Sequence, residues 1–434
     1  MKRYDSYKDS GVEWIGEVPS HWEVLPLKFK SDIIMGQSPD GKDIVPFGKT
    51  LFMQGNADFN NYYPTPNMYC DSCSKYSRIN DILMSVRAPV GELNFSDKIY
   101  GIGRGLCSIK GIDVYQKYLW YYLQMTKDIY KYFETGSTFT AITISVIKNL
   151  KLIDPSKEEQ HKIAYYLDTK CGEVDKVIST QEKRIALLQE LKQSIITHAV
   201  TKGLNPNVKM KDSGIEWIGE VPEHWVIMRV KDLLRLLTDY DANGSFADIA
   251  KNCNINNGNP YAWMVRATDL ENNRIGIVDG NNYCDKKTYE YLSKSSLSEN
   301  DILLAKRGDI GKSYLVPFCN DPMTLAPNTY LLLTDKKKVN NKCLFYYFQS
   351  YVGAEILRLL NKSTTLGALY KDDVKSINVP IAPLLEQQEI ASYLDKRCAQ
   401  IDASISKAQK EIELLQEYKQ SLITEVVTGK RKVC

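Results

Sequence analysis

The chain is written twice, and that constrains its fold more than any other feature. Gly11-Val12-Glu13-Trp14-Ile15-Gly16-Glu17-Val18-Pro19-Ser20-His21-Trp22 returns almost unchanged as Gly214-Ile215-Glu216-Trp217-Ile218-Gly219-Glu220-Val221-Pro222-Glu223-His224-Trp225. A second pair follows: Glu159 to Thr201 runs onto Glu386 to Thr428 without a gap, about half of the positions being identical. Between these pieces lie segments 23–155 and 226–382, which barely resemble each other. Two constant frames around two different inserts imply two distinct surfaces carried on a repeated support.

The repeated helical piece sets the support. Leu167, Cys171, Val174, Ile178, Ile185, Leu188 and Ile195 fall at steps of three and four or their multiples. Leu394, Cys398, Ile401, Ile405, Ala408, Ile412, Leu415 and Leu422 do the same in the second copy, with Lys, Glu and Gln outside the seam. This is heptad spacing. Each helix is predicted to run about 40 residues, or roughly 60 Å. One apolar stripe on so long a helix needs a partner, and the simplest partner is the other copy. Lys192 and Lys419 interrupt the seam at matching places, where their stems are expected to lie along the stripe with the ammonium in water. Pro155 and Pro383 precede the helices, and Gly203 and Gly429 follow as C-terminal stops.

The inserts have another texture. Short β-rich runs, Asp81–Val86 and Asp301–Ala305, alternate with Gly, Asn, Asp and Pro turns. Aromatic helical patches follow at Tyr118–Tyr122 and Leu344–Phe348. The matched order of elements predicts one mixed α/β (α+β) fold for both inserts. The expected architecture is two similar globular domains separated by two long antiparallel helices in a coiled coil, with a pseudo-two-fold repeat. Its segments are 1–155 (frame and first domain), 156–203 (first helical spacer), 204–382 (second frame and domain) and 383–430 (second spacer).

Composition narrows the class. The 434 residues suffice for two or three domains, and 43% hydrophobic with 25% charged residues is ordinary for a soluble globular chain. No apolar run approaches the ~20 residues of a membrane span, and Met1-Lys2-Arg3-Tyr4-Asp5 lacks the apolar core of a signal peptide. Ten cysteines without a framework fit reduced thiols, so the expected location is cytoplasmic. A net charge of +3 leaves any nucleic-acid contact to local patches.

On the frame Ser10–Pro19 and its copy, on Glu159-Gln160-His161-Lys162-Ile163-Ala164 with Glu386-Gln387-Gln388-Glu389-Ile390-Ala391, and on Asn300–Lys312 with its weaker echo Asn80–Gly91, the chain resembles the specificity subunits of Type I restriction–modification systems. The resemblance covers essentially the whole chain. It implies a non-catalytic DNA-recognition subunit in which each insert, a target-recognition domain, reads one half of a bipartite site. The paired helices would set the spacer and dock methyltransferase subunits, two of them, with two restriction or motor subunits joining. The resemblance implies no cofactor in this chain; S-adenosylmethionine, ATP and Mg²⁺ would be used by the partners. B-DNA repeats its face about every 34 Å, a separation that a rigid helix pair can set. Two departures stand out: Asp154-Pro155-Ser156 replaces the usual apolar-proline helix start, and the first Arg-Gly loop is reduced to Arg87-Ala88-Pro89-Val90-Gly91.

Candidate DNA-binding residues come from matched loops. Lys306, Arg307 and Lys312 lie on a glycine-punctuated loop after a strand, and Arg87 occupies the matching place in the first insert. Gln54 and Asn56, then Arg266 and Thr268, lie in another matched stretch (Phe52-Met53 against Trp263-Met264); Ser137-Thr138 and Thr364-Thr365 form a third matched loop. These side chains can reach phosphates or base edges, although each is equally the kind of polar residue that stabilises a loop.

Other motifs carry less. Gly308–Ser313 ends like a phosphate loop, but Lys306 stands where the first glycine is needed. Asn259-Pro260-Tyr261 lacks one proline of an adenine-methyltransferase motif; Gly101-Ile102-Gly103-Arg104-Gly105 has the wrong spacing for a dinucleotide fingerprint and reads as a bend. Cys70 and Cys73 have no second pair to complete a zinc site. His21 and His224 sit beside frame tryptophans and read as packing or capping groups, and the four frame tryptophans as anchors to the helix bases. His161 and His198 are replaced by Gln388 and Glu425. Two other classes stay open from the residues: a coiled-coil protein-interaction adaptor, and a self-contained DNA methyltransferase or nuclease.

Four residues inserted within 175–190 lengthen the first helix by about 6 Å and are expected to widen the unread spacer by roughly one or two base pairs. Mapping methylated sites checks this; an unchanged spacer would show that the helices are not the ruler.

Overall fold

The computed structural model describes residues 3–132, 141–361 and 367–433. Two compact units emerge, residues 1–182 with 409–434, and residues 183–408. Four helices organise them: α1 (Gln116–Met125), α2 (Lys157–Lys202), α3 (Asn341–Gln349) and α4 (Leu384–Val427). The unit boundary falls inside α2 and inside α4, so each unit holds a head together with half of each long helix, whereas the segment reading kept each helix whole.

The heads share one topology despite their divergent residues. In the first, four antiparallel strands are ordered Ser31–Met35, Leu106–Gly111, Ile82–Ser85, Leu93–Phe95. In the second the order is Leu234–Asp239, Thr329–Thr334, Ile302–Ala305, Ser313–Leu315. Each head adds a smaller sheet built on one parallel pair: Phe52 opposite Gly101 in the first, Trp263 opposite Met323 in the second. The mixed α/β expectation holds for both.

Each insert enters and leaves through a two-stranded neck. Glu23–Pro26 pairs with Lys151–Asp154, and Val226–Arg229 pairs with Asn378–Ile381. Glu23 lies opposite Asp154 and Val226 opposite Ile381, so the ends of each insert are held side by side by backbone hydrogen bonds. A segment closed in this way can change its contents without disturbing its support.

The neck delivers the chain to the start of a long helix, and there the repeated Glu-Gln pair does its work. The Glu159 carboxylate accepts from Trp22 Nε1 (3.1 Å), lies 3.0 Å from His21 Nε2, and accepts from the Ser156 hydroxyl (2.9 Å). Burial pushes its pKa up, but these hydrogen bonds outweigh burial and hold it below the ordinary value. Glu386 repeats the arrangement with Trp225 (3.2 Å) and His224 (2.8 Å). The neighbouring glutamines are buried and saturated. Gln160 accepts from Tyr115 N and donates to Asp154 and the Pro155 carbonyl; Gln387 accepts from Asn340 N and donates to the Lys338 and Ala382 carbonyls.

Trp22 and Trp225 are therefore the expected anchors, fully buried against the helix base. Trp14 and Trp217 are not: they are 36% and 57% exposed, because the turn that carries them buries the neighbouring Ile15 and Ile218 and leaves the tryptophans on its outer side. The histidines beside the anchors serve the same carboxylates, as packing groups should.

The aromatic patches are α1 and α3, and they fasten each head to its long helix. Tyr121 donates to Asp168 (2.9 Å), which also pairs with Lys117; Tyr346 donates to Asp395 (2.8 Å), which pairs with Lys342 at 2.7 Å. Burial, with the adjacent carboxylate, raises both phenol pKa values well above normal, so each hydroxyl remains a donor.

The seam follows the predicted positions. Leu167, Cys171, Val174, Leu394, Cys398 and Ile401 are buried, while Ile178, Ile185, Leu188, Ile405, Ile412 and Leu415 are half-buried. Within the first unit Asp175 meets Lys419 and Gln181 meets Glu411, which fixes the two helices as antiparallel there. The interrupting lysines stay partly exposed as expected, and each ammonium is in addition held by an acid. Lys419 Nζ reaches Asp175 at 2.6 Å, and Lys192 Nζ reaches Asp402 at 2.7 Å, the same cross-helix ion pair made once in each unit. The stem crosses the stripe and finds a carboxylate on the facing helix.

Trp22→Ala should lower stability by about 3–5 kcal/mol and Glu159→Ala by about 1.5–3 kcal/mol, whereas Trp14→Ala should stay within about 0.5 kcal/mol. Thermal melting of the three variants checks the ranking, and a Trp14 effect equal to that of Trp22 would overturn it.

Candidate nucleic-acid interface

Two hairpin loops carry the best-matched candidates. Strands Ile82–Ser85 and Leu93–Phe95 flank the Arg87 loop, and Ile302–Ala305 and Ser313–Leu315 flank the Arg307 loop. Arg87 bridges to Ala141, and Arg307 bridges to Ala368. Behind them Ile142 N donates to the Val86 carbonyl and Leu369 N to the Lys306 carbonyl, both at 3.0 Å. The reduced first loop thus keeps the backbone pairings of its counterpart, although its Ala88–Pro89 peptide is cis where the second loop has Gly308 at φ 84°. Gly91 and Gly311, with φ of 84° and 100°, close the two loops in a conformation that side chains rarely adopt. Ser137, Thr138, Thr364 and Thr365 lie outside the described residues.

The cations of the second loop have different fates. Lys306 is held by Asp239 (2.8 Å) and Asp241 (2.6 Å), over the Tyr330 ring. Asp239 is buried and also meets Lys371 at 2.8 Å; burial would raise its pKa, but the two lysines keep it below the ordinary value. Lys312 pairs with Glu271 (2.8 Å) and Asp309 (2.7 Å). Arg307 is exposed and, among the described residues, has neither hydrogen bond nor ion pair through its side chain.

The second set of candidates divides similarly. Arg266 is turned inward: its Nη2 donates to Asp269 (2.6 Å) and to the Gly280 carbonyl (2.6 Å), and Asp269 is fully buried beneath Trp263 Nε1. Asp269 also accepts from Arg266 N (3.1 Å) and so caps the short helix that follows, and the Arg266 charge is spent on that carboxylate. Thr268 is exposed. In the first head Gln54 Nε2 donates to Ser38 Oγ at 2.6 Å, and Asn56 opens a single helical turn, half-buried.

The structure gathers Arg266, Thr268 and Arg307 around one cleft of about 450 Å³, which Asn328 also lines. A second cleft of about 580 Å³ shares Arg307 and Asn328 and is bordered by Tyr240 and Phe246. Phe246 is 90% exposed. Asn328 and Phe246 were missed from the sequence: neither lies in a matched stretch. The only local signal was Ser245 and Asp248 capping the helix that begins at Phe246, and Asn328 sits at φ 75° with nothing in the sequence to mark it. Cys70 and Cys73 lie in a small apolar cluster with Phe52, and burial raises the Cys73 thiol to about 12, which keeps it protonated.

A doubled neck, a repeated helix socket and two α/β heads with loop arginines define a class, and comparison with known proteins agrees. Residues 19–190 and 222–414 match the Type I restriction modification DNA specificity domain, and the chain belongs to that family, carrying the domain twice. Among curated relatives it is similar to the putative type I restriction enzyme MjaX specificity subunit of Methanocaldococcus jannaschii, 36% identical over 205 residues that span 46% of each chain. The MjaVIII specificity subunit of the same organism is 23% identical, covering 96% of this chain and 94% of that one. A solved chain from work on complex assembly and conformational transition of the type I R-M system shares the fold, with a TM-score of 0.69 at 15% identity over 94% of this chain and 98% of that chain. Among the described residues no helix is long and apolar enough to cross a membrane.

Lys306→Ala should cost about 1–3 kcal/mol by stripping a partner from a buried carboxylate, while Arg307→Ala should stay within about 0.5 kcal/mol. Because the Asp239 pKa is depressed, the stability it contributes is present above the ordinary carboxylate value of 3.8 and is lost as pH falls through the lower folded value. Melting curves against pH check this: the acid-side decline should shrink in Lys306→Ala.

Proposed function

We propose that this chain is the DNA-reading, non-catalytic subunit of a Type I restriction–modification complex, each head recognising one half of a split duplex site. The observation that carries the reading is the pair of equivalent hairpin loops, each presenting an exposed arginine whose side chain has no hydrogen bond or ion pair among the described residues, on heads whose other surfaces have diverged. Arginine on a loop beside a cleft can hold phosphate or the O6/N7 edge of guanine. In this reading methyl transfer, ATP-driven translocation and cleavage belong to partner subunits, which use S-adenosylmethionine, ATP and Mg²⁺, and the complex works in the cytoplasm.

The outer faces of the long helices support two equivalent docking positions. Leu187 and Leu191 lie one turn apart and exposed on α2; Leu414 and Tyr418 occupy the same repeat positions on α4 and are exposed too. Apolar pairs repeated on a polar face fit the binding of two methyltransferase subunits, with two restriction subunits added to them.

The purified chain, given duplex DNA with S-adenosylmethionine or Mg²⁺, should show no turnover; turnover by the chain alone would refute the proposal. Exchanging residues 23–154 for another insert should change one half of the methylated sequence, as read by methylome sequencing of cells that also carry the partner subunits. A change in both halves would count against independent heads. Arg307→Ala should weaken duplex binding by about 1–3 kcal/mol in the assembled complex. Leu187→Glu with Leu414→Glu should reduce capture of the methyltransferase subunits while leaving the melting temperature unchanged.

A further inference from the structure

We propose that Arg104 is a second DNA-contacting residue of the first head, facing the duplex beside Arg87. This rests on the reading of the chain as a DNA-recognition subunit and names a residue that the loop matching did not reach. Ser85 lies opposite Leu106 in antiparallel register. One step further Val86 N donates to the Gly105 carbonyl at 2.9 Å, so the register continues and brings Arg87 and Arg104 to facing positions. Both are exposed, and among the described residues neither guanidinium has a hydrogen bond or an ion pair. Like charges on facing positions of neighbouring strand segments are destabilising. Folding alone gives no reason to keep them there; an anionic or acceptor-rich ligand does.

The position of Arg104 is set by backbone packed on backbone. A Cβ on Gly36 would stand 2.1 Å from the Gly103 carbonyl oxygen, one on Gly103 would stand 2.4 Å from Gln54 Oε1, and one on Gly105 would stand 2.5 Å from the Gln54 carbonyl oxygen. Gln54 is tied in turn to Ser38, whose hydroxyl lies 3.4 Å from Arg104 N. The glycines of Gly101–Gly105 therefore form a clamped turn that fixes where the Arg104 side chain leaves the surface, which lowers the ordering cost of a contact made there. Gln54 acts as a positioning residue for that turn.

The second head lacks this pair. Ala305 lies opposite Thr329, and Lys306 N donates to the Asn328 carbonyl at 2.8 Å, so the same register puts Pro327 opposite Arg307. One head thus offers two facing guanidinium groups and the other offers one. Two different half-sites would be met by this kind of difference. A guanidinium can bind the guanine O6/N7 edge or phosphate oxygens with two parallel donors.

The test uses the full chain assembled with its methyltransferase subunits, carrying Arg104→Ala or Arg104→Lys, with the methylated motif and duplex affinity across salt concentrations as readouts. Arg104→Ala is expected to weaken binding by about 5–150-fold. If the contact is to guanine, one position in the first head's half-site becomes degenerate and Arg104→Lys does not restore it. If it is to phosphate, the motif is unchanged, the salt slope falls by about one, and Arg104→Lys largely restores affinity. Either result supports the contact. Wild-type motif, affinity and salt slope in Arg104→Ala overturn it, and normal reading of the other half-site in the same molecules reports an intact fold. Should the unaltered complex read no split site at all, the DNA-recognition reading itself falls and takes this contact with it, a failure seen without any Arg104 variant.

Discussion

Each long helix begins in a socket made by one carboxylate and one amide, and the rest of each unit is built on that socket. The first turn of a helix exposes unpaired N–H groups and favours negative charge, which suits Glu159 and Glu386. Each carboxylate takes its frame tryptophan and histidine, so the frame cannot leave the helix without stripping a charged, largely buried group of its partners. The glutamine beside it spends its donors and its acceptor on the neck and the head. Frame, neck, head and helix meet at two adjacent side chains, and for that reason the chain keeps the pair in both copies.

Around the socket the repeat is mechanical; away from it the repeat is only topological. The neck pairing, the Tyr–Asp fastening of α1 and α3, and the Lys–Asp ion pair across the long helices recur with the same partners. The head surfaces are free to differ because their ends are clamped. The second head neutralises most of the cations near its hairpin loop: Lys306, Lys312 and Arg266 each serve a carboxylate. The first head leaves Arg87 and Arg104 open.

What could be read ahead of the structure follows from distance along the chain. The heptad seam was legible because helix periodicity is local, and every seam residue named from the sequence is buried or half-buried. The fate of Lys306 was not: one of its acids, Asp239, is 67 residues away. Arg266 was the exception, since Asp269 stands three residues on in a capping position and could have been recognised as its partner. Lys192 and Lys419 were placed on the stripe correctly, but their acids lie 210 and 244 residues away, on the other helix. Trp14 misled because a duplicated tryptophan looks like core whichever way its side chain faces, and on this turn it is the neighbouring Ile15 that is buried.

The sequence by itself determined the architecture: duplication declares two equivalent supports, heptad spacing declares paired helices, and the matched order of strands and helices declares two heads of one kind. Those signals are periodic or repeated, so they survive without coordinates. Tertiary structure decided which polar side chains remain free. A charge is available to a ligand only when no acid has been folded against it, and the acids come from strands and loops that sequence spacing does not relate.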